Sequence, residues 1–364
     1  MRGDEKRQES MFHMFSVESR VPQDHPLRRI RLLCNEALKS LSATFEAMYS
    51  DVGRPSVPPE MLLKSTLLMA LYSIRSEKQF CEQLNFNILF RWFLGMDMSA
   101  PCFERSVFTK NRQRLLDHAV AKEFLAAVVS LAQKKNLLSA EHFTVDGTLI
   151  ESWASLKSFK PKDRDPDDTD SNGFTPRNPD VDFHGQKRSN TTHESTTDGE
   201  ARLVRKGLGK EAKLSFLGNV LSENRNGFVI SASVVKATGV GECNAALGLL
   251  DDALEQEFSP STLGADKGYH TTDFVTQLRE RSIRPHIAQQ KNRNIPGLDA
   301  RTTRHASYAV SQIKRKLVEQ TFGYAKTVAG LRKSRLIGVA ATEFLLHISC
   351  AVLNLLRIAK LCPG

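Results

Sequence analysis

The chain has no pair of cysteines at the spacing of a metal or redox motif. Its six cysteines, at 34, 81, 102, 243, 350 and 362, are scattered over 364 residues. That argues against a zinc site or a disulfide framework and for a reducing, cytoplasmic setting. No membrane span is expected from the apolar stretch near the end of the sequence. The stretch from Phe344 to Ile358 has 15 residues and is broken by His347, Ser349, Asn354 and Arg357, whereas a span needs about 20. A buried terminal helix is expected there, and no membrane partner. The first ten residues carry charge with no apolar segment behind it, so no secretory signal is read. What remains is a globular composition, 40 % hydrophobic and 25 % charged, with length enough for two domains.

Acidic residues are scarce in one place. Between Arg284 and Arg335 stand twelve Lys or Arg residues and only two acids, Asp299 and Glu319. The excess in these 52 residues equals the net charge of the whole chain, +10. A solvated face is the ordinary meaning of a charge run. One-sided charge this concentrated suits a polyanion instead, because phosphates that meet Lys and Arg release condensed counterions.

Three blocks differ in composition. Residues 1–55 are polar, with a helix expected from about Pro26 to Tyr49, where Leu27, Ile30, Leu33, Ala37 and Leu41 recur at helical spacing. Residues 56–137 read as several helices forming a DNA-binding domain. One helix opens at Ser56 with Pro58 and Pro59 in its first turn. Another begins near Ser99 and carries Arg105, Thr109 and Arg112 on its polar side, either a recognition helix or an ordinary basic face. Residues 138–364 alternate strands with helices. His142–Ile150 is a strand, 157–199 a polar excursion, and Asn226-Gly227 a hairpin turn before the strand 228–237. Helices and short strands then alternate up to a long helix, Ser307–Val328, and the apolar helix 342–360. Hairpins first and crossovers later imply an α/β fold, a mixed sheet flanked by helices, behind an all-α N-terminal domain.

Three acids sit where an unpaired charge is costly unless it binds something. Asp146 interrupts the apolar strand FTVDGTLI. Asp266 ends LGAD at the carboxyl end of a strand, where open α/β sheets place ligands. Glu319 is the sole acid of a basic helix. At about 100° per residue, Arg315, Glu319 and Lys326 share one face of that helix. Val310, Leu317 and Val328 lie nearly opposite, and Val318, Phe322 and Ala325 form a second apolar stripe, so burial on two sides is expected. Carboxylates that hold divalent cations are the usual means of cutting phosphodiesters at neutral pH.

V-D-G-T at 145–148, G-A-D-K-G-Y at 264–269 and R-K-L-V-E-Q-T-F-G-Y-A-K at 315–326 resemble the three acidic motifs of bacterial insertion-sequence transposases of the IS-four/IS-five type. Those are DDE enzymes with an RNase H-like core. The family's last motif is Tyr-x2-Arg-x3-Glu-x6-Lys, which Arg315, Glu319 and Lys326 match. Its tyrosine position is Gln312 here, with Tyr308 one helical turn earlier. The resemblance implies that Asp146, Asp266 and Glu319 hold two Mg²⁺ ions, replaceable by Mn²⁺, for cutting at element ends and joining the freed 3′-OH to target DNA. Arg315 and Lys326 would position phosphates, aided by Lys314 and Lys267. The implied partners are the terminal inverted repeats and target DNA, and the implied assembly is a dimer or larger on DNA. A catalytically silent DNA-binding regulator, or an RNase H-like nuclease without strand transfer, is the alternative.

Overall fold

The computed structural model describes residues 16–49, 52, 56–139, 141–162, 188–207, 209–238, 241–290 and 294–362. Much of the expected excursion, residues 163–187, therefore lies outside the described residues. Before the first strand come the helices α1 Val17–Arg20, α2 Pro26–Lys39, α3 Ser42–Ala47, α4 Pro59–Leu71, α5 Glu77–Phe86, α6 Ile88–Leu94, α7 Arg105–Asp117 and α8 Val120–Lys134. Proline opens α2 and α4, where its missing N–H has no helical partner to lose. The single helix expected over 26–49 is two. Ser40 Oγ donates to the carbonyl of Ala37 at 2.8 Å and Ser42 Oγ to that of Lys39 at 3.0 Å, local bonds that compete with helix continuation.

The sheet is built from β1 His142–Glu151, β4 Arg202–Arg205, β5 Ala212–Glu223, β6 Val229–Lys236, β7 Thr262–Ala265 and β8 Arg284–Ile287. Its order is β6–β5–β1–β7–β8, antiparallel across the first three strands and parallel across the last three, with β4 sharing β6's edge of β5. That is the order of an RNase H-like core, the expected mixed sheet. The ends of the excursion are more regular than a loop: β2 Phe159–Pro161 and β3 His193–Ser195 pair as a small antiparallel ribbon.

At the Asn226-Gly227 turn, Gly227 takes φ +78°, a region costly to residues with a Cβ. The turn is held from within. The buried carboxylate of Glu223 accepts from the N–H groups of Arg225 at 2.7 Å, Asn226 at 2.8 Å, and Phe228 and Ser139 at 3.0 Å. This buried acid is fully satisfied by backbone, so its role is structural.

Helices cover both faces. Successive residues of a strand point to opposite sides. Gly218 of β5 faces Leu346 of α14 (Val339–Leu361), while its neighbour Asn219 faces the start of α9 (Gly241–Glu255). The remaining helices are α10 Thr272–Glu280, α11 Ala300–Thr303, α12 Ala306–Lys314 and α13 Leu317–Thr327. α14 is the expected apolar terminal helix. It is longer than the 15-residue apolar stretch read from the sequence: among the described residues it alone is long and apolar enough to cross a membrane, and it is mostly buried within the protein. It lies between β6 and the N-terminal helices α2, α4 and α8, so one apolar core runs from Val21 to Ile358. Its polar side chains cover the outer edge of β6. Asn354 bonds both backbone groups of Val229 at 3.0 and 2.7 Å, and His347 Nε2 donates to the carbonyl of Ala232 at 2.7 Å. An edge strand closed in this way cannot recruit another chain.

The long helix expected over 307–328 is broken at Arg315–Lys316. There Val318 and Glu319 donate to carbonyls three residues back, Arg315 at 3.2 Å and Lys316 at 3.1 Å, the tighter 3-10 pattern. The cause is tertiary. Tyr308 Oη donates to the carbonyl of Ile287 at 2.8 Å and Gln312 Nε2 to that of His286 at 2.5 Å, tying α12 to β8, while α13 is tied to β1. The expected burial on two sides fails on α12, where Val310 is 54 % and Ile313 69 % exposed. Val318, Phe322 and Ala325 on α13 are buried as expected.

Candidate active site

Strands β1 and β7 run parallel and pair only over His142–Thr144 and Thr262–Gly264. Asp146 lies two residues past the last pair, and Asp266 directly follows β7. Further on, β1 is met on the same edge by Lys333, opposite Glu151. The edge of β1 between these two pairings faces a fork at the carboxyl ends of the parallel strands, the position where α/β sheets place ligands.

The structure brings Asp146 and Asp266 together in this fork. Burial pushes the Asp146 carboxyl up to about 6, and the neighbouring negative charges of Asp266 and Glu242 add to the rise. The N–H of Gly147, at 2.9 Å, and the cation of Arg315 act the other way. Glu242, in the first turn of α9, is likewise raised by burial and then by Asp266. No motif pointed to Glu242. It is brought to the fork by the packing of α9 on β5 and β6, which spacing along the sequence does not reveal.

The cations expected beside the carboxylates are partly in place. Arg315 acts on Asp146 and packs its Cβ against Gly264 of β7; its Nε donates to Gln312 Oε1 at 3.0 Å. Lys326 Nζ donates to Thr148 Oγ1 on β1 at 2.6 Å, and burial lowers its ammonium below the usual range. Glu319 lies on α13 between Arg315 and Lys326 in sequence, with its side chain exposed. Among the described residues no hydrogen bond or ion pair joins Glu319 to the two aspartates. Lys314 and Lys267 are exposed, on α12 and directly after Asp266. On α7, Arg105 and Thr109 are exposed, whereas Arg112 pairs with the carboxylate of Glu77. Arg105 and Arg112 line a cavity of about 280 Å³ together with Arg75 and Arg335. Trp153, just past β1 and 47 % exposed, carries Lys333 Nζ 5.3 Å and Arg335 Cζ 5.6 Å from its ring centre. A lone tryptophan after a strand gave no sign of this grouping.

Whether the fork suits a cation can be judged from its atoms. Among the described residues, no three His, Cys, Asp or Glu side chains already close on one point. Glycine instead lets Glu242 and Asp266 come close to the backbone of the fork. A Cβ on Gly147 would collide with Glu242 Oε1 and stand 3.1 Å from Asn219 Oδ1; one on Gly268 would meet Asp266 Oδ1 at 2.9 Å. Asn219 Oδ1 is buried and unpartnered. Asp146 and Asp266 each accept one backbone N–H, from Gly147 at 2.9 Å and Gly268 at 2.7 Å; with the amide oxygen they form a hard-oxygen set of the kind divalent ions take.

A parallel fork with paired aspartates, on a sheet of this order with cation-bearing helices beside it, is the arrangement of an RNase H-like core. Two family models match the chain: "Transposase domain (DUF772)" over residues 15–114 and "Transposase DDE domain" over residues 209–355. The second contains Glu242, Asp266, Arg315, Glu319 and Lys326; Asp146 lies between the two. No curated protein matches. Among solved structures, similarity is found to a piggyBac transposase synaptic complex with hairpin DNA, at 12 % identity over 92 % of this chain and 75 % of that one, TM-score 0.42. It is also found to a Mos1 transposase paired-end complex with the left transposon end, at 13 % identity over 85 % and 98 %, TM-score 0.21. The protein is a DDE transposase, of a family that cuts DNA and transfers strands with divalent metal ions.

Proposed function

We propose that this transposase is of the IS-four/IS-five type, cutting the terminal inverted repeats of its own insertion sequence and joining the freed 3′ ends to target DNA. The observation that supports this most is the Asp146–Asp266 fork with Arg315 and Lys326 directed at β1. Asp146, Asp266 and Glu319 hold Mg²⁺, with Mn²⁺ as a substitute; when bound, a pair of such ions supplies the Lewis acidity for attack by water or a 3′-OH and for the leaving oxygen. Glu319, exposed one turn from Arg315, would be the third of these ligands. Arg315 and Lys326 neutralise the phosphate that crosses the fork, and Thr148 orients the Lys326 ammonium. Lys314 and Lys267 extend this basic track, and Arg105 and Thr109 present a second contact on α7, joined by Arg112 if its pair with Glu77 opens. Two element ends must be held at once, so a dimer or larger assembly on DNA carries out the reaction, in the cytoplasm at the nucleoid.

The test is cleavage of DNA bearing the element's terminal repeats. Asp146→Asn, Asp266→Asn and Glu319→Gln each abolish Mg²⁺-dependent cutting and keep DNA binding. Near-normal cutting by any one of them refutes that residue's role. Joining of a cut 3′ end to a second DNA separates a transposase of this kind from a simple nuclease.

A further inference from the structure

We propose that Glu242 is an additional metal-binding carboxylate of the fork, acting with Asp146 and Asp266. The inference rests on the reading of those two aspartates as metal ligands and adds a residue that lies outside the three acidic motifs.

The placement of Glu242 is specific. Its Oε1 occupies the space that a side chain at residue 147 would need, and its Oε2 lies 3.8 Å from where a Cβ on Gly268 would stand. Asp266 Oδ1 lies 2.9 Å from that same point. The two carboxylates thus face each other across Gly268, at the carboxyl end of β7. The second observation is independent of any acid. Asn219, paired with Gly147 across β1 and β5, is completely buried, and its Oδ1 has no hydrogen-bond partner. That oxygen is 3.1 Å from the position over Gly147 that the Glu242 carboxylate fills.

Leaving an amide oxygen buried and unpaired costs roughly 1–3 kcal/mol, and three half-buried carboxylates near one cation, Arg315, leave negative charge in excess. No ion pair among the described residues uses Asp146, Asp266 or Glu242. A divalent cation satisfies both demands at once, and the oxygens are those of a Mg²⁺ or Mn²⁺ site. The rival account is structural: an acid in the first turn of α9 stabilises the helix through its dipole. The two accounts differ in sign. A structural Glu242 makes the metal-free protein less stable when neutralised; a metal-binding one, repelled by its neighbours, does not.

Mn²⁺ alone is titrated into the full chain, with free Mn²⁺ read by electron paramagnetic resonance, and metal-free melting is followed in parallel. The variants are Glu242→Gln, Glu242→Asp and Asp146→Asn. The expected result is that Glu242→Gln weakens Mn²⁺ binding at least about tenfold and melts no lower than wild type without metal. Wild-type Mn²⁺ affinity in Glu242→Gln, with affinity lost in Asp146→Asn, overturns the assignment of Glu242 and leaves the fork intact. Unchanged affinity in both overturns the fork itself as a metal site. Should Glu242→Gln melt well below wild type, Glu242→Asp decides, because it keeps the charge at the helix start and withdraws the oxygens by one methylene. Weakened Mn²⁺ binding at wild-type melting temperature then supports the assignment, and wild-type binding overturns it.

Discussion

Asp146 should make the metal-free protein less stable at neutral pH than a protein lacking its charge. In the folded chain its carboxyl titrates at about 6, raised first by burial and then by Asp266 and Glu242, against an ordinary value of 3.8. The unfolded chain therefore gives up this proton first as pH rises. The folded state is favoured below the unfolded value, and that advantage is lost progressively between pH 3.8 and 6. The shift corresponds to about 3 kcal/mol at pH 8. Asp146→Asn removes the penalty and keeps an oxygen that accepts the Gly147 N–H, now 2.9 Å away. At roughly 2.1 cal/mol/K of unfolding entropy per residue, a gain of that size is about 4 °C in melting temperature for a chain of this length. The assay is thermal unfolding with a chelator at pH 4 and pH 8, comparing variant with wild type so that other titrating groups cancel. The variant should gain most of those degrees at pH 8 and little at pH 4. An equal gain at both values, or a loss at pH 8, would refute an acid held out of water among other acids.

Two further outcomes concern groups other than the carboxylates. Lys326→Met should lower DNA affinity alike for specific and unrelated sequences and reduce the slope of log affinity against log salt by about one; an unchanged slope in filter-binding titrations counts against a phosphate contact. His347, buried in α14 and bonded to Ala232, is pushed by burial down to about 4. The unfolded chain takes up that proton near 6.5, so stability falls as pH drops from there towards 4, the opposite direction to Asp146. His347→Gln, which keeps a donor, should remove about 3 kcal/mol of that fall in acid unfolding curves; His286, also held near 4, leaves a residual slope.

The strands were legible because their chemistry is local. Alternating apolar residues mark β5, and the Asn226-Gly227 turn marks where β6 begins. The acids of β1 and β7 were visible because charge inside an apolar run is anomalous whatever surrounds it. The break in the helix at Arg315 was not visible, since arginine and lysine are good helix formers and the cause lies in bonds to β8 and β1. The same break undid the expected burial of Val310: periodicity describes a straight helix, and Val310 lies on α12, across the break from the buried stripe of α13. Polar tripeptides such as His193–Ser195 carry no strand signal, and their ribbon exists only because its two halves meet. Glu242 and Asn219 escaped notice for a related reason. An acid among helix-forming residues and an asparagine in a strand are unremarkable until the fold brings them over Gly147.

The position of α14 has a consequence for how the protein is made. Its apolar side completes the packing of α2, α4 and α8, yet it leaves the ribosome long after them. The early helices must wait, with part of their apolar surface uncovered, while the whole sheet is synthesised, a circumstance that favours chaperone capture. A chain cut short by a nonsense codon before residue 339 would lack the element that joins its two halves and closes the edge of β6. Such fragments should be aggregation-prone and quickly degraded rather than surviving as DNA-binding competitors of the intact enzyme. Dependence of the first helices on the last one makes completion of synthesis the checkpoint for activity.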